Sequence, residues 1–162
     1  MMGNVVIVLV RDGVVKRLIA KNVVTIEGHK YYAQKAAGET PAYTFNTMVL
    51  GNGPAPTWSE TSNYSTLADA ISGSAKAVAP GYPKTNDTDP SNGNGGPNIV
   101  TWKFYWEPGD FAADYINQAV ITVSNPSSDS PILCGFNMTA FDKTSSDVLT
   151  IFVNHKIRAI QV

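Results

Sequence analysis

Six consecutive apolar residues, Val5-Val6-Ile7-Val8-Leu9-Val10, stand near the start of the chain. Arg11-Asp12-Gly13 separates them from a second β-branched run, Val14-Val15-Lys16-Arg17-Leu18-Ile19. Asp-Gly between two such runs predicts a hairpin, because Gly supplies the positive φ that a tight turn demands. The first run has no polar alternation, so a strand made from it needs cover on both faces. An apolar N-terminal strand often finds that cover on a neighbouring subunit. Residues 1–20 are therefore expected to form a hairpin arm in contact with a partner, and residues 21–162 the main domain.

The same run is far shorter than the ~20 residues of a membrane helix, and no basic segment precedes it as in a secretory leader. No membrane span is expected. Of 162 residues, 62 are Ser, Thr, Asn, Gly or Pro, and only 15% are charged, which is a turn-rich composition of short strands. The length suits one domain. Cys134 is the single cysteine, so neither an internal disulfide nor a cysteine zinc site is available. It alternates with Ile132 and Phe136, as a small core residue would.

Alternation dominates the second half. Val100, Trp102, Phe104 and Trp106 share one strand face, opposite Thr101, Lys103, Tyr105 and Glu107. Ile132, Cys134, Phe136, Met138 and Ala140 share another, and Leu149, Ile151, Val153, His155 and Ile157 a third, with a further strand over 115–123. Pro, Gly, Asn and Ser clusters separate these runs. The pattern predicts a mainly β, antiparallel jelly-roll or β-sandwich with one or two short helices. The helix candidates are 27–37, stopped by Gly38, and 65–71, capped by Ser65. Residues 80–98, rich in Pro, Gly, Asn and Asp, can continue neither helix nor central strand. An excursion of that length usually marks a functional loop or a segment ordered by a partner.

Net charge is −1, unevenly spread: residues 1–36 carry six basic and two acidic groups, residues 37–147 four and eleven. Nucleic-acid binding through a broad positive field is not expected. A basic end on an acidic body suits docking on a negatively charged protein surface. His29 and His155 are the only imidazoles, and His155 continues an apolar alternation, which reads as a packed or interface histidine. There is no GxSxG elbow, and Gly51-Asn52-Gly53 lacks the rest of a dinucleotide fingerprint. Glu107, Asp110 and Asp114 follow an aromatic strand, as a sugar-cleaving carboxylate pair would, but thirteen acidic residues supply many such pairs by chance. Asn86, Asp87, Asp89, Ser91 and Asn92 are the most metal-like segment. Their spacing departs from an EF-hand at its sixth and twelfth positions, so Asp87 and Asp89 remain weak candidates, and no cofactor is expected. Trp58, in a Pro/Ser/Thr loop, is expected at a surface or subunit contact. Val5, Ile7, Leu9, Arg11, Trp58, Tyr64 and Tyr82 are the candidate partner-interface residues.

The order of segments carries a resemblance. Asn22-Val23-Val24-Thr25-Ile26-Glu27-Gly28 before a short helix, Met48-Val49-Leu50-Gly51-Asn52-Gly53, and a Ser/Thr-rich loop leading to Leu67 make up its first part. Gly81-Tyr82-Pro83, Asn86-Asp87-Thr88-Asp89, Thr101-Trp102 and the closing run from Asp147 to His155 complete it. The layout resembles small structural proteins of tailed bacteriophages and is most similar to capsid decoration (cement) proteins, over roughly residues 20–157. The resemblance implies a jelly-roll or sandwich domain, a homotrimer on the outer surface of the virion, and the major capsid protein as partner. It implies no enzyme. The alternative is a tail-fibre or receptor-binding tip that holds a cell-surface glycan with exposed aromatics such as Trp58 and Tyr82.

Overall fold

Asp12 and Gly13 both adopt positive φ, 51° and 76°, and fold the two β-branched runs into the expected hairpin. The computed structural model describes residues 2–158. Strand β1 spans Met2–Arg11 and β2 spans Val14–Val24. Helix α1 follows at once over Ile26–Ala36, its first turn capped by the Thr25 hydroxyl accepting from Gly28 N at 3.0 Å. Gly28 is indispensable there, because a Cβ would lie 2.2 Å from the Leu133 carbonyl oxygen. The chain continues through β3 (Thr47–Gly51), β4 (Lys76–Ala77), β5 (Ile99–Trp106), β6 (Ala113–Thr122), β7 (Ile132–Lys143) and β8 (Val148–Lys156). Among the described residues the fold is mainly antiparallel β with one α-helix.

All eight strands join one sheet, in the order β4-β3-β6-β7-β2-β1-β8-β5. The sheet curls until its edges approach: just past β4, Val78 N donates to Asn46 O on one side and Ala79 N to Lys103 O on the other, both at 2.8 Å. Inside lie Trp102, Phe104 and Trp106 of β5, Ile7 and Leu9 of β1, and Leu149, Ile151 and Val153 of β8. Tyr31 and Tyr32 of α1 also bear on this core.

The hairpin is not a separate arm, which corrects the sequence expectation. β1 runs along β2 on one side and β8 on the other, and Val5, Val6 and Ile7 have no exposed surface. Cover for its outer face, where Val6 and Val8 meet Phe152, comes from the same chain. The 80–98 excursion lies over this part of the sheet, tied to β2 by Arg17 Nη2 to Asn92 O (3.1 Å) and to β1 by Asn4 Nδ2 to Asn94 Oδ1 (3.4 Å). It is tied to β8 by Asn92 and Asn154, and to β5 by the Lys84–Thr101 bridge. Two segments that each read as a partner contact are therefore partners to each other.

The outer face of β3, β6 and β7 is closed in the same manner by residues 52–68. Val49, Leu67, Val120 and Ile132 form a small outer cluster with Trp58 and Tyr64 against it. Two sequence readings change here. The expected helix over 65–71 shrinks to a 3₁₀ turn, Tyr64–Thr66, capped by Asn63; Ala70 instead bridges Gly51, which no helix would allow. Along β7, Ile132 belongs to the outer cluster and Phe141 replaces Ala140 in the core. Register shifts between β6 and β7 account for the altered parity, since each extra residue on one strand reverses the faces beyond it.

Candidate docking face

The two histidines were the only candidate bases, and the structure places His155 in the sealed interior. Asn22 Nδ2 donates to its Nε2 at 2.6 Å, which puts the ring proton on Nδ1, pointing at Tyr32 Oη 2.6 Å away. That oxygen also accepts from Trp102 Nε1 at 2.8 Å. Burial pushes the His155 pKa down to about 3, with the charge of His29 adding to the effect. Burial also drives the Cys134 thiol up to about 12 and holds the Tyr32 phenol well above its usual range. A neutral imidazole with both nitrogens engaged inside a core positions side chains and has no route to a substrate.

The carboxylates of the excursion are likewise occupied. Asp87 is buried, which alone would raise its pKa, but Asn92 Nδ2 (2.9 Å), Tyr82 Oη (2.8 Å) and Asp89 N donate to it and hold the carboxyl below its ordinary value. Lys103 Nζ pairs Asp89 at 2.9 Å, and Lys84 approaches Asp87 at 3.9 Å. Protein donors thus take the lone pairs a calcium ion would need, and among the described residues no cluster of three His, Cys, Asp or Glu side chains could hold a metal. Asp110 pairs with Lys76 at 2.9 Å and accepts Glu107 N at 2.7 Å. It braces a turn, and Asp114 is exposed.

The candidate interface residues divide sharply. Val5, Ile7 and Leu9 point into the core, so a partner cannot reach them; interior burial on both faces explains their unbroken apolar run. Arg11 is bound to Asp147 through Nε and Nη2 and to Asp142 O through Nη2. Trp58 lies half-buried over Gly135, where a Cβ would come within 2.3 Å of the indole, and donates from Nε1 to Asn137 Oδ1 at 2.9 Å. Tyr64 supports the same outer cluster, and Tyr82 is half-buried with Lys84 Nζ 4.6 Å from its ring centre.

Open surface remains farther along the hairpin. Val14, Val15 and Ile19 are 69%, 62% and 55% exposed. Interleaved with them are Lys16, Arg17 and Lys21, and across the sheet stand Lys156 and Arg158. None of these five cations has a carboxylate within 4.0 Å among the described residues, whereas Arg11, Lys30, Lys76, Lys84 and Lys103 all do. Along the outward face of β2, Val15, Arg17, Ile19 and Lys21 thus alternate apolar and cationic, while Val14 and Lys16 stand on its other face. The signal was present in the sequence, in the second half of the hairpin rather than the first: four of the six residues Val14 to Ile19 are apolar, yet charges break the run as they do on exposed strands. No family model, curated protein or solved structure matches the chain.

Proposed function

We propose that the protein is a non-enzymatic virion component, a capsid decoration protein that clusters as a trimer on the outer surface of a phage capsid and stabilises the shell. The observation that carries this reading is the outward face of β2, where exposed Val15 and Ile19 alternate with Arg17 and Lys21, neither of which has a carboxylate within 4.0 Å among the described residues. Such a face suits an acidic protein surface better than a nucleic acid, whose backbone calls for a wider cationic footprint, or a membrane. The segment order from Asn22 to His155 supports the same assignment. The engaged state of His155, Asp87, Asp89 and Asp110 supports a binding role.

A module that binds only the assembled shell stabilises it by mass action, about 2.7 kcal/mol per site at a hundredfold excess over Kd. Three linked contacts would add avidity. The contact residues move from Val5, Ile7 and Leu9 to Val15 and Ile19 with Arg17 and Lys21 between and beside them. The test is co-sedimentation with purified capsids and their thermal disruption. A raised disruption temperature, with a trimer by analytical ultracentrifugation, is expected. Shells that neither retain the protein nor gain stability would overturn the assignment.

A further inference from the structure

Strand β2 has eleven residues, but its two sides are unequal. Toward β1 it is paired from Val14 to Asn22; toward β7 it is paired only at Asn22, Val23 and Val24. Residues 14–21 therefore present backbone donors and acceptors on that side with no partner among the described residues. β7 beyond Phe136 pairs only with β6. The seam opens into a cleft of about 340 Å³ whose lining includes Leu9, Lys16, Ala140 and Phe141, with Arg11 and Asp142 also on its wall.

We infer that the open edge of β2 accepts an extended, carboxylate-bearing segment of a partner protein as an added strand. Unpaired main-chain groups supply affinity in strand addition, and alternate side chains supply specificity. Here Val15 and Ile19 offer apolar cross-strand positions on the outward face, where Arg17 and Lys21 offer charge, and Lys16 adds a cation on the other face. Those cations also decide between occupants. Antiparallel pairing with β2 of a second copy would bring six cations into one seam, which the Asp142 carboxylate at its rim only partly offsets in each copy, and like charges across strands are unfavourable. A charged edge of this kind blocks self-pairing while attracting an acidic strand. The inference rests on the hairpin face being the docking face.

The test uses the full chain and two capped heptapeptides, one alternating Glu and Val, the other alternating Lys and Val. Amide hydrogen exchange is followed by NMR. The Glu peptide is expected to slow alternate amides within residues 14–21 at least tenfold at low salt, less so at high salt, and the Lys peptide to leave them unchanged. A K16E/K21E variant should exchange the two preferences. Absence of protection at millimolar peptide, or equal protection by both peptides or by heparin, overturns the inference. Capsid binding separates it from the wider assignment. Shells that retain K16E/K21E as well as the parent chain would overturn strand addition and leave decoration standing. Peptide protection without any shell binding would do the reverse.

Discussion

Asn92, in the middle of the 80–98 excursion, and Asn154, on β8, exchange both amide hydrogen bonds: Asn92 Nδ2 donates to Asn154 Oδ1 at 2.9 Å and Asn154 Nδ2 to Asn92 Oδ1 at 2.8 Å. Both side chains are buried, and Thr101 Oγ1 adds a third bond to Asn154 Oδ1 at 2.7 Å. This clamp holds the excursion over Val6, Val8 and Phe152. Asn154→Leu leaves Asn92 Oδ1, one Asn92 amide N–H and the Thr101 hydroxyl without their partners in a buried site, a loss of about 3 kcal/mol. Urea unfolding should show that loss, and a hydrophobic dye should report the uncovered β1 face. Unchanged unfolding would mean that the excursion is held by other contacts.

Asn92 also donates to Asp87 Oδ2 at 2.9 Å, so its amide separates one carboxylate from the β8 clamp. Asn92→Asp turns that donor into a second carboxylate, and two such groups in contact cannot both ionise without strong repulsion. The variant should be less stable than Asn92→Ala at pH 7, and the gap should close as pH falls toward 4 and one acid takes a proton. Chemical denaturation of both variants across that range measures the difference.

Much of the fold was legible because alternation records burial directly. Trp102, Phe104 and Trp106 face inward as their spacing required, and His155 continues the inward row of Leu149, Ile151 and Val153. The error at Val5–Leu9 has a physical origin. A strand apolar on both faces states that both are covered, not by what, and the cover came from a distant polar loop. The Asn92–Asn154 clamp left only the faint signal of an Asn within an apolar strand. The outward face at Val15 and Ile19 carries a weaker sequence signal than the unbroken apolar run beside it, because Arg17 and Lys21 interrupt it.

Trp58 and Gly135 give a packing test. The indole occupies the space that a side chain at 135 would fill, so Gly135→Ala forces it off β7 and breaks its bond to Asn137. Trp102 and Trp106 stay buried, so fluorescence should gain a red-shifted component from Trp58 alone. Overpacking of this kind costs about 1–3 kcal/mol. In a Trp58→Ala background most of that cost should vanish, a coupling that a double-mutant cycle reads out. Equal costs in both backgrounds would place the strain elsewhere.

The acid sensitivity of the fold follows from His155. Its folded pKa is lowered to about 3, while in the unfolded chain an imidazole titrates near 6.5. Between those values the unfolded state binds a proton that the folded state refuses, so stability rises with pH. It is fully present above about pH 6.5 and is lost as pH falls toward 3. The slope should be about 1.4 kcal/mol per pH unit, the value for one proton. Asp87 and Asp147, whose folded pKa values are lowered, lose their contribution only as pH falls below about 4. The interval from 6 to 4.5 therefore isolates the histidine, and urea midpoints there should slope in the parent chain and flatten in His155→Gln.

Below that interval the ion pair of Arg11 and Asp147 takes over. The Arg11 hydrogen bonds hold the Asp147 carboxyl well below the usual carboxylate range, against the effect of burial, and Thr144 N adds a donor at 2.8 Å. A depressed carboxylate pKa contributes stability above the unfolded value, near 3.9, and loses it as pH falls through the folded one. Arg11→Gln leaves a buried carboxylate with fewer donors, so it should destabilise the chain at pH 7, and the difference from the parent should shrink progressively below pH 4. Denaturation midpoints of the two proteins between pH 5 and 2 give that difference. A penalty unchanged across the range would mean that Arg11 acts through its contact with the Asp142 carbonyl rather than through charge.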